Sequence, residues 1–359
     1  MSNSPAIYAI ARRFGFASAP RSLFPSESGL PKKMWLLPPL KSWLTLPNSC
    51  PPNIAGSTGR LGRAALRPHR PAVKVEADME ILLAKDMGFC WGVRRAIDIM
   101  GRAAEEKGEI ISVGPIVHNP QVVQQLQDKG IWTDTRPLDS SRPVAITAHG
   151  VGPDVLREVE ETGAEIIDGT CPIVTRSQRW ARKMADSGFT VLVFGDPEHR
   201  EVKGVLGWAG RSGIAIEDGQ PLPEKLPSKV AVISQTTQSP QRFSAFVARL
   251  MHERIGEIGE LRLINTLCDV TSSQQAAARE LAAEVPLMIV VGGKASANTR
   301  HLLEVCQEEG AAAYHIETAD ELQPEWLRDV DRIGVTAGAS TPDSAVEAVV
   351  ERVRKIARN

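Results

Sequence analysis

Cys90, Cys171 and Cys268 each stand between an apolar, strand-like run and a helix-like run. Each is followed 28 positions later by a polar residue in a second loop: His118, His199 and Ser296. A frame that recurs three times with one thiol per copy restricts the fold more than any local propensity does. It calls for three similar units that bring three cysteines to one point.

From Met79 onward, short apolar runs alternate with amphipathic ones. Strands are expected at Ile81–Ala84, Val144–Thr147, Val191–Phe194, Val230–Ile233, Leu287–Val291 and Ile333–Val335. Helices are expected at Val93–Glu106, Pro120–Lys129, Val174–Asp186, Gln241–Met251, Ser273–Glu284, Thr299–Glu309 and Asp343–Ile356. This alternation predicts an α/β protein with parallel sheets, in three pseudo-repeated units around a pseudo-threefold axis. The units are expected at 79–171, 172–267 and 268–359. Ligands of such sheets bind at the carboxyl ends of the strands, so the loops that follow strands hold the chemistry.

Residues 1–78 differ from the rest. They hold eleven of the 25 prolines, eleven Lys/Arg and three acidic residues, and show no sustained period. A disordered extension, an upstream stretch translated ahead of a natural start at Met79, and an Arg- and Ser-rich organelle transit segment all fit that composition. The remaining chain is acidic, which gives no reason to expect nucleic-acid binding. No apolar run reaches the roughly 18–20 residues of a membrane span. Five cysteines, an odd number widely spaced, argue against a disulfide framework and for metal or catalytic use in a reducing compartment.

Three thiolates suit an iron–sulfur cluster with one iron open to another ligand. Zinc is the rival, although structural zinc sites commonly pair their cysteines closely and none is paired here. Helix N-termini are expected to favour the thiolate form. The bland alternative is three buried thiols packed as small apolar residues. Cys306 lies among Leu302, Leu303 and Val305 and reads as core, and Cys50 lies in the Pro-rich segment. His118, His149 and His199 all fall in loops after strands, where imidazoles can bind phosphate oxygens. The loops 292–299 and 336–342 look like a diphosphate cradle built from Ser296, Asn298 and Ser340, or like ordinary helix caps. Glu201 is a candidate proton relay, and Thr236 a candidate hydrogen-bonding group.

These loops together resemble the 4-hydroxy-3-methylbut-2-enyl diphosphate reductase family. The carriers are GFCWGVRRA (88–96), VHN (117–119), AHGV (148–151), DGTCP (168–172), HREVKG (199–204), QTT (235–237), NTLCD (265–269), GGKASANT (292–299) and GVTAGASTP (334–342), in order from Met79 to about Arg354. The resemblance implies a trefoil around a 4Fe–4S cluster held by Cys90, Cys171 and Cys268. It implies diphosphate binding by His118, His149, Ser296, Asn298 and Ser340, protons from Glu201, and substrate positioning by His199 and Thr236. It implies reductive removal of an allylic hydroxyl, giving isopentenyl and dimethylallyl diphosphates, with ferredoxin or flavodoxin as electron donor. A bacterial, cytoplasmic enzyme is expected, or a plastid-type one if residues 1–78 are a transit segment. The alternative function is a non-enzymatic iron–sulfur carrier or redox sensor on the same fold. The chain departs from the family pattern at Arg200, where proline is frequent, at Ala295 and Ala297, which lack side-chain donors, and at Gln274, where arginine is common.

Overall fold

The computed structural model describes residues 73–74, 79–134 and 141–358. The expectations for residues 1–78 lie outside the described residues, apart from a two-residue strand, β1 (Val73–Lys74).

Three sheets share one plan. The first runs β4 (Ile131–Asp134), β3 (Ile110–Val113), β5 (Val144–Ile146), β6 (Ile166–Asp168). The second runs β8 (Gly213–Ile216), β7 (Thr190–Phe194), β9 (Lys229–Ser234), β10 (Glu260–Leu263). The third runs β12 (Ala312–Ile316), β11 (Leu287–Val291), β13 (Arg332–Ala337), β2 (Glu80–Leu83), with β1 outside β2. Every ladder is parallel except the β1–β2 pair. Parallel strands covered on both faces read as unbroken apolar runs, which is why LMIVV in β11 and VLVF in β7 are buried throughout.

The repeat is phased differently from the sequence reading. Each cysteine follows the last strand of its sheet: Cys171 after β6, Cys268 after β10 and Cys90 after β2. The sequence reading puts the strand at 80–83 at the head of the first unit. Its hydrogen bonds place it in the third sheet, with Arg332 opposite Glu80 and Val335 opposite Leu83. The reason lies in the parallel plan, because the third sheet takes a fourth strand and, among the described residues, no strand follows β13. The first segment supplies it.

Each cysteine caps a helix that carries the chain to the next sheet. These are α1 (Trp91–Lys107), α4 (Pro172–Asp186) and α7 (Asp269–Ala282). Ala96, Met100, Ala103 and Ala104 of α1 pack with Ile110, Ile131, Ala145 and Ile167 of the first sheet. Ala181 and Met184 of α4 pack with Val191, Val193, Ala231 and Ile233 of the second. Ala277, Ala278 and Leu281 of α7 pack with Met288 and Val290 of the third. Each fully buried Ile, Val or Met contributes about 1.5–3 kcal/mol relative to exposure. The cysteine loops are therefore anchored at both ends by core.

The other helices follow polar loops: α2 (Pro120–Gln127), α3 (Pro153–Glu161), α5 (Arg200–Ala209), α6 (Pro240–Arg254), α8 (Ala297–Glu308) and α9 (Asp343–Ala357). Neither α3 nor α5 is among the expected helices. Two glycines lower the helix propensity of α5. They are there because α5 packs tightly on the start of α3, where a Cβ on Gly207 would stand 3.0 Å from the Gly152 Cα.

Candidate functional site

All three cysteines have extended backbone and stand at the N-cap of their helices. A Cβ added to Gly92, in the first turn of α1, would lie 2.8 Å from Cys171 Sγ and 3.8 Å from Cys90 Sγ. Those two sulfurs thus flank one point, which the absence of a side chain at Gly92 keeps open. A charge on Cys268 raises the pKa of both Cys90 and Cys171, so the third sulfur belongs to the same group. Cys306 is separate, buried in the core beside Leu302 with its thiol pushed up to about 12 by burial. The expected gain of thiolate at the helix starts is outweighed. Burial raises Cys90 and Cys171, and the amides of Val93 and Gly92, and of Ile173 and Val174, offset it only in part. Ligation would therefore be accompanied by proton release.

Each thiol loop is tied to a polar loop by its own amide. Cys171 N–H donates to Ala148 O at 3.0 Å, next to His149. Cys268 N–H donates to Thr236 O at 2.8 Å, and Cys90 N–H to Ala339 O at 3.0 Å, next to Ser340. The thiol group and the polar loops are thereby built as one body.

His118, His149 and His199 converge. Their ring centroids are 4.3, 5.2 and 5.6 Å apart pairwise, and one nitrogen from each lies within 4.8 Å of the others. Asn119 fixes His118 by capping α2, its side-chain oxygen accepting from Gln121 N and Val122 N. Ser340 Oγ lies 3.5 Å from the His118 carbonyl. His199 caps α5, its Nδ1 accepting from Glu201 N at 3.2 Å. Burial pushes His118 and His199 down to about 4. The Arg200 and Arg300 guanidiniums add to this at His118, and the neighbouring His118 and Arg300 add to it at His199. His149 is pushed well below its usual value, again chiefly by burial. The rings are neutral at pH 7.

Three neutral imidazoles can suggest a metal site, but His199 argues against one. A ligating histidine donates its second ring N–H to an acceptor. Here the second nitrogen of His199 accepts from a backbone amide, so Nε2 carries the proton and is a donor. Buried Nε2 of His118 has no hydrogen-bond partner. An orphaned polar atom beside a ring donor suits an anion, which takes several donors at once.

Glu201 is 2% exposed. Thr236 N–H donates to its Oε1 at 2.6 Å, and Thr236 Oγ1 to its Oε2 at 2.9 Å. Burial raises its pKa to about 7 against those two hydrogen bonds. Ser296 caps α8, its Oγ accepting from Thr299 N at 3.3 Å. Asn298 is buried, with Nδ2 donating to Gln274 Oε1 and with Oδ1 unpartnered. A cleft of about 360 Å³ lined by Asp196, Gln235, Gln238, Ala297, Arg300 and His301 adjoins the loops of Thr236 and Asn298.

Three supporting residues escaped the sequence reading. Arg95 and Arg176 each sit five positions after a cysteine, and both bond a carbonyl ahead of another cysteine. The shared spacing was the available signal. Gln274, noticed only as a departure, does the same six positions after Cys268.

A family model described as LytB protein matches residues 81–354. A protein of Dehalococcoides mccartyi (strain CBDB1), named 4-hydroxy-3-methylbut-2-enyl diphosphate reductase, is 45% identical over 274 residues, covering 76% of this chain and 96% of that one. A protein of the same name from Geobacter sulfurreducens is 42% identical over 281 residues, covering 77% and 98%. A solved structure titled (E)-4-hydroxy-3-methyl-but-2-enyl diphosphate reductase, the terminal enzyme of the non-mevalonate pathway, aligns with TM-score 0.55 at 35% identity over 77% of this chain and 99% of its own. The Plasmodium falciparum E-1-hydroxy-2-methyl-but-2-enyl-4-diphosphate reductase aligns with TM-score 0.69 at 24% identity over 76% and 86%, a likeness of fold. Among the described residues, no helix is long and apolar enough to cross a membrane. On the extent of the family match and the identity to these relatives, the chain belongs to the LytB protein family.

Proposed function

We infer that the chain is a 4-hydroxy-3-methylbut-2-enyl diphosphate reductase, which removes the allylic hydroxyl with two electrons and two protons. The C–O bond breaks, the oxygen leaves as water, and the products are isopentenyl and dimethylallyl diphosphates. The observation that carries the reading is the joining of a three-thiol group, through its own amides, to the loops of His149, Thr236 and Ser340, the first part of a histidine trio and the second bonded to a buried carboxyl. A carrier or sensor of electrons has no use for the trio or the carboxyl.

Cys90, Cys171 and Cys268 would hold a 4Fe–4S cluster. Two sulfurs flanking the space left at Gly92, a third coupled to both, and no fourth cysteine beside them among the described residues fit a cluster with one iron free of protein. When bound, such a cluster would supply electrons and Lewis acidity.

The diphosphate is read as bound by His118, His149, Ser296, Asn298 and Ser340. His118 Nε2 gains the partner it lacks, and negative charge draws the histidines toward protonation. His199 contributes its Nε2–H and positions the substrate with Thr236. Glu201 is poised between its two forms at neutral pH, as a proton donor requires. The proton is read as carried by one particular oxygen. Oε1 faces the Thr236 amide, which can only donate, so the proton rides on Oε2. The Thr236 hydroxyl then accepts from Oε2 and turns its own hydrogen toward the substrate. A ferredoxin or flavodoxin is the proposed donor, and the cytoplasm the proposed location.

Anaerobic purification with iron and sulfide analysis tests the reading, followed by reductant-driven turnover of the allylic diphosphate. About four irons per chain and loss of the hydroxyl are expected. Iron without turnover would favour the electron-carrier reading.

A further inference from the structure

Each helix that begins at a cysteine reaches the loop of another cysteine with one side chain. From α1, Arg95 Nη1 donates to Thr170 O at 3.1 Å, one residue ahead of Cys171. From α4, Arg176 Nη2 donates to Leu267 O at 3.4 Å, one residue ahead of Cys268. From α7, Gln274 Nε2 donates to Gly88 O at 2.8 Å, two residues ahead of Cys90. The three bonds run from the Cys90 helix to the Cys171 loop, from there to the Cys268 loop, and back to the Cys90 loop. They close a ring that follows the pseudo-threefold plan of the sheets.

We propose that Arg95, Arg176 and Gln274 are positioning residues that form a cyclic clamp, holding the three cysteine loops at the mutual spacing a cluster requires. The inference rests on the reading of the three thiols as cluster ligands.

A single side chain bonding a nearby carbonyl is commonplace. Three such bonds, from equivalent turns of equivalent helices to equivalent loops, are a device. Without them, each cysteine loop is held by its amide bond to its own sheet, and its setting against the next sulfur rests on the packing of its helix against the next sheet. The clamp crosses from unit to unit where the cofactor must. Its members are unequal. Arg95 and Arg176 are exposed, and each sets its guanidinium on the carbonyl of the residue before a cysteine. Gln274 is 3% exposed and neutral, and its Oε1 accepts from Asn298 Nδ2 at 3.0 Å. This third member thus couples the clamp to a loop of the diphosphate cradle, and only it does so. The two roles of the arginines, tether and charge, are separable by substitution.

The test uses the full chain in its iron-loaded form. Arg95→Gln, Arg176→Gln and Gln274→Ala are compared with wild type for the rate of cluster loss to an iron chelator. Losing a hydrogen bond that involves a charged or buried donor is expected to speed release by about tenfold. Arg95→Lys, which keeps a donor and the charge, should recover most of the difference. Arg95→Gln and Arg176→Gln should also lower the midpoint potential, since removing a cation disfavours the reduced cluster. Gln274→Ala, neutral for neutral, should release faster without that change. The same variants are alkylated as purified, at one pH, with the labelled cysteines identified by mass spectrometry. Arg95→Gln should expose Cys171 selectively, Arg176→Gln should expose Cys268, and Gln274→Ala should expose Cys90. Unchanged release, or equal gains at all three cysteines with a general fall in melting temperature, overturns the clamp. A wild-type chain without iron would instead overturn the proposed function, and the labelling pattern would still decide the clamp.

Discussion

Glu201→Gln separates the chemistry of the carboxyl from its effect on the fold. An isolated carboxyl of this kind titrates near 4.5, whereas burial holds Glu201 to about 7. Between those values the unfolded chain has released a proton that the folded chain retains. Stability therefore falls as pH rises from about 4.5 to about 7 and stays low above it. Glutamine cannot ionise, so the variant escapes that loss. From the two pKa values the relief is under about 1 kcal/mol at pH 5 and about 3 kcal/mol at pH 8. The hydrogen bonds to Thr236 already oppose the shift, and their rearrangement around an amide is largely common to both conditions. At roughly 2–4 °C per kcal/mol, the variant's melting temperature relative to wild type should be higher at pH 8 than at pH 5 by about 5–10 °C. The histidines titrate in both proteins and cancel in the difference. Turnover should fall by about 10²–10⁴, since an amide cannot supply the proton. Scanning calorimetry at both pH values, with wild type and variant loaded alike, gives the first number. A pH-independent difference would refute the buried-carboxyl argument, and near-normal turnover would remove Glu201 from the proton path.

Cys171→Ser should abolish iron and sulfide binding, and unchanged metal content would contradict its role as a ligand. Gly92→Ala should lower iron content although Gly92 is no ligand, because its Cβ would meet Cys171 Sγ at 2.8 Å; full loading would show the space to be incidental. Diphosphate binding near pH 6 should be accompanied by proton uptake, since His118 and His199 are held down to about 4 in the free site and an anion raises them. Calorimetry in buffers of different ionisation enthalpy reads that uptake, and His118→Asn should reduce it. With no ligand bound, the histidines should make stability fall as pH drops from about 6.5 to about 4, and a flat profile would mean that their burial is not felt.

The fully covered strands announced themselves, because a parallel strand with helices on both faces has nowhere to place a polar residue. VLVF in β7, VAVI in β9 and LMIVV in β11 therefore read as strands without context. Edge strands such as β10, with Arg262 and Leu263 exposed, did not, since half of each residue set faces water. The phase of the repeat was hidden for a different reason. Sequence order made Cys90 the head of the first unit, and only hydrogen bonds between β2 and β13 show the chain's start completing the third sheet. At the site, residue type sufficed to single out the cysteines, the histidines and Glu201. The pairing of Glu201 with Thr236, 35 residues away, needs two strands to be neighbours and so has no local trace.

A pseudo-threefold scaffold poses a problem for an asymmetric substrate, and the loop residues answer it. What repeats is what a cluster needs: a cysteine at a helix start, an amide bond to a neighbouring loop, and a side chain reaching the next cysteine. What does not repeat are the tips of the loops after the first and third strands of each unit. In the first unit these hold His118 and His149, in the third Ser296, Asn298 and Ser340, and in the second His199 and Glu201 with Thr236. A ligand with an anion at one end and a hydroxyl at the other would have its orientation decided by that division. The anion is drawn to the donors of the first and third units with His199 at their edge, and the hydroxyl is left facing the buried carboxyl of the second. Exchanging the acid between units should therefore fail even if the fold and the thiol group survive. Gln235-Thr-Thr placed at 147–149, with Glu at 121, would set the proton source on the anion side. Such a chain should retain iron and lose turnover. Retained turnover would mean that the cluster alone, and not the loop tips, sets the direction in which the substrate lies.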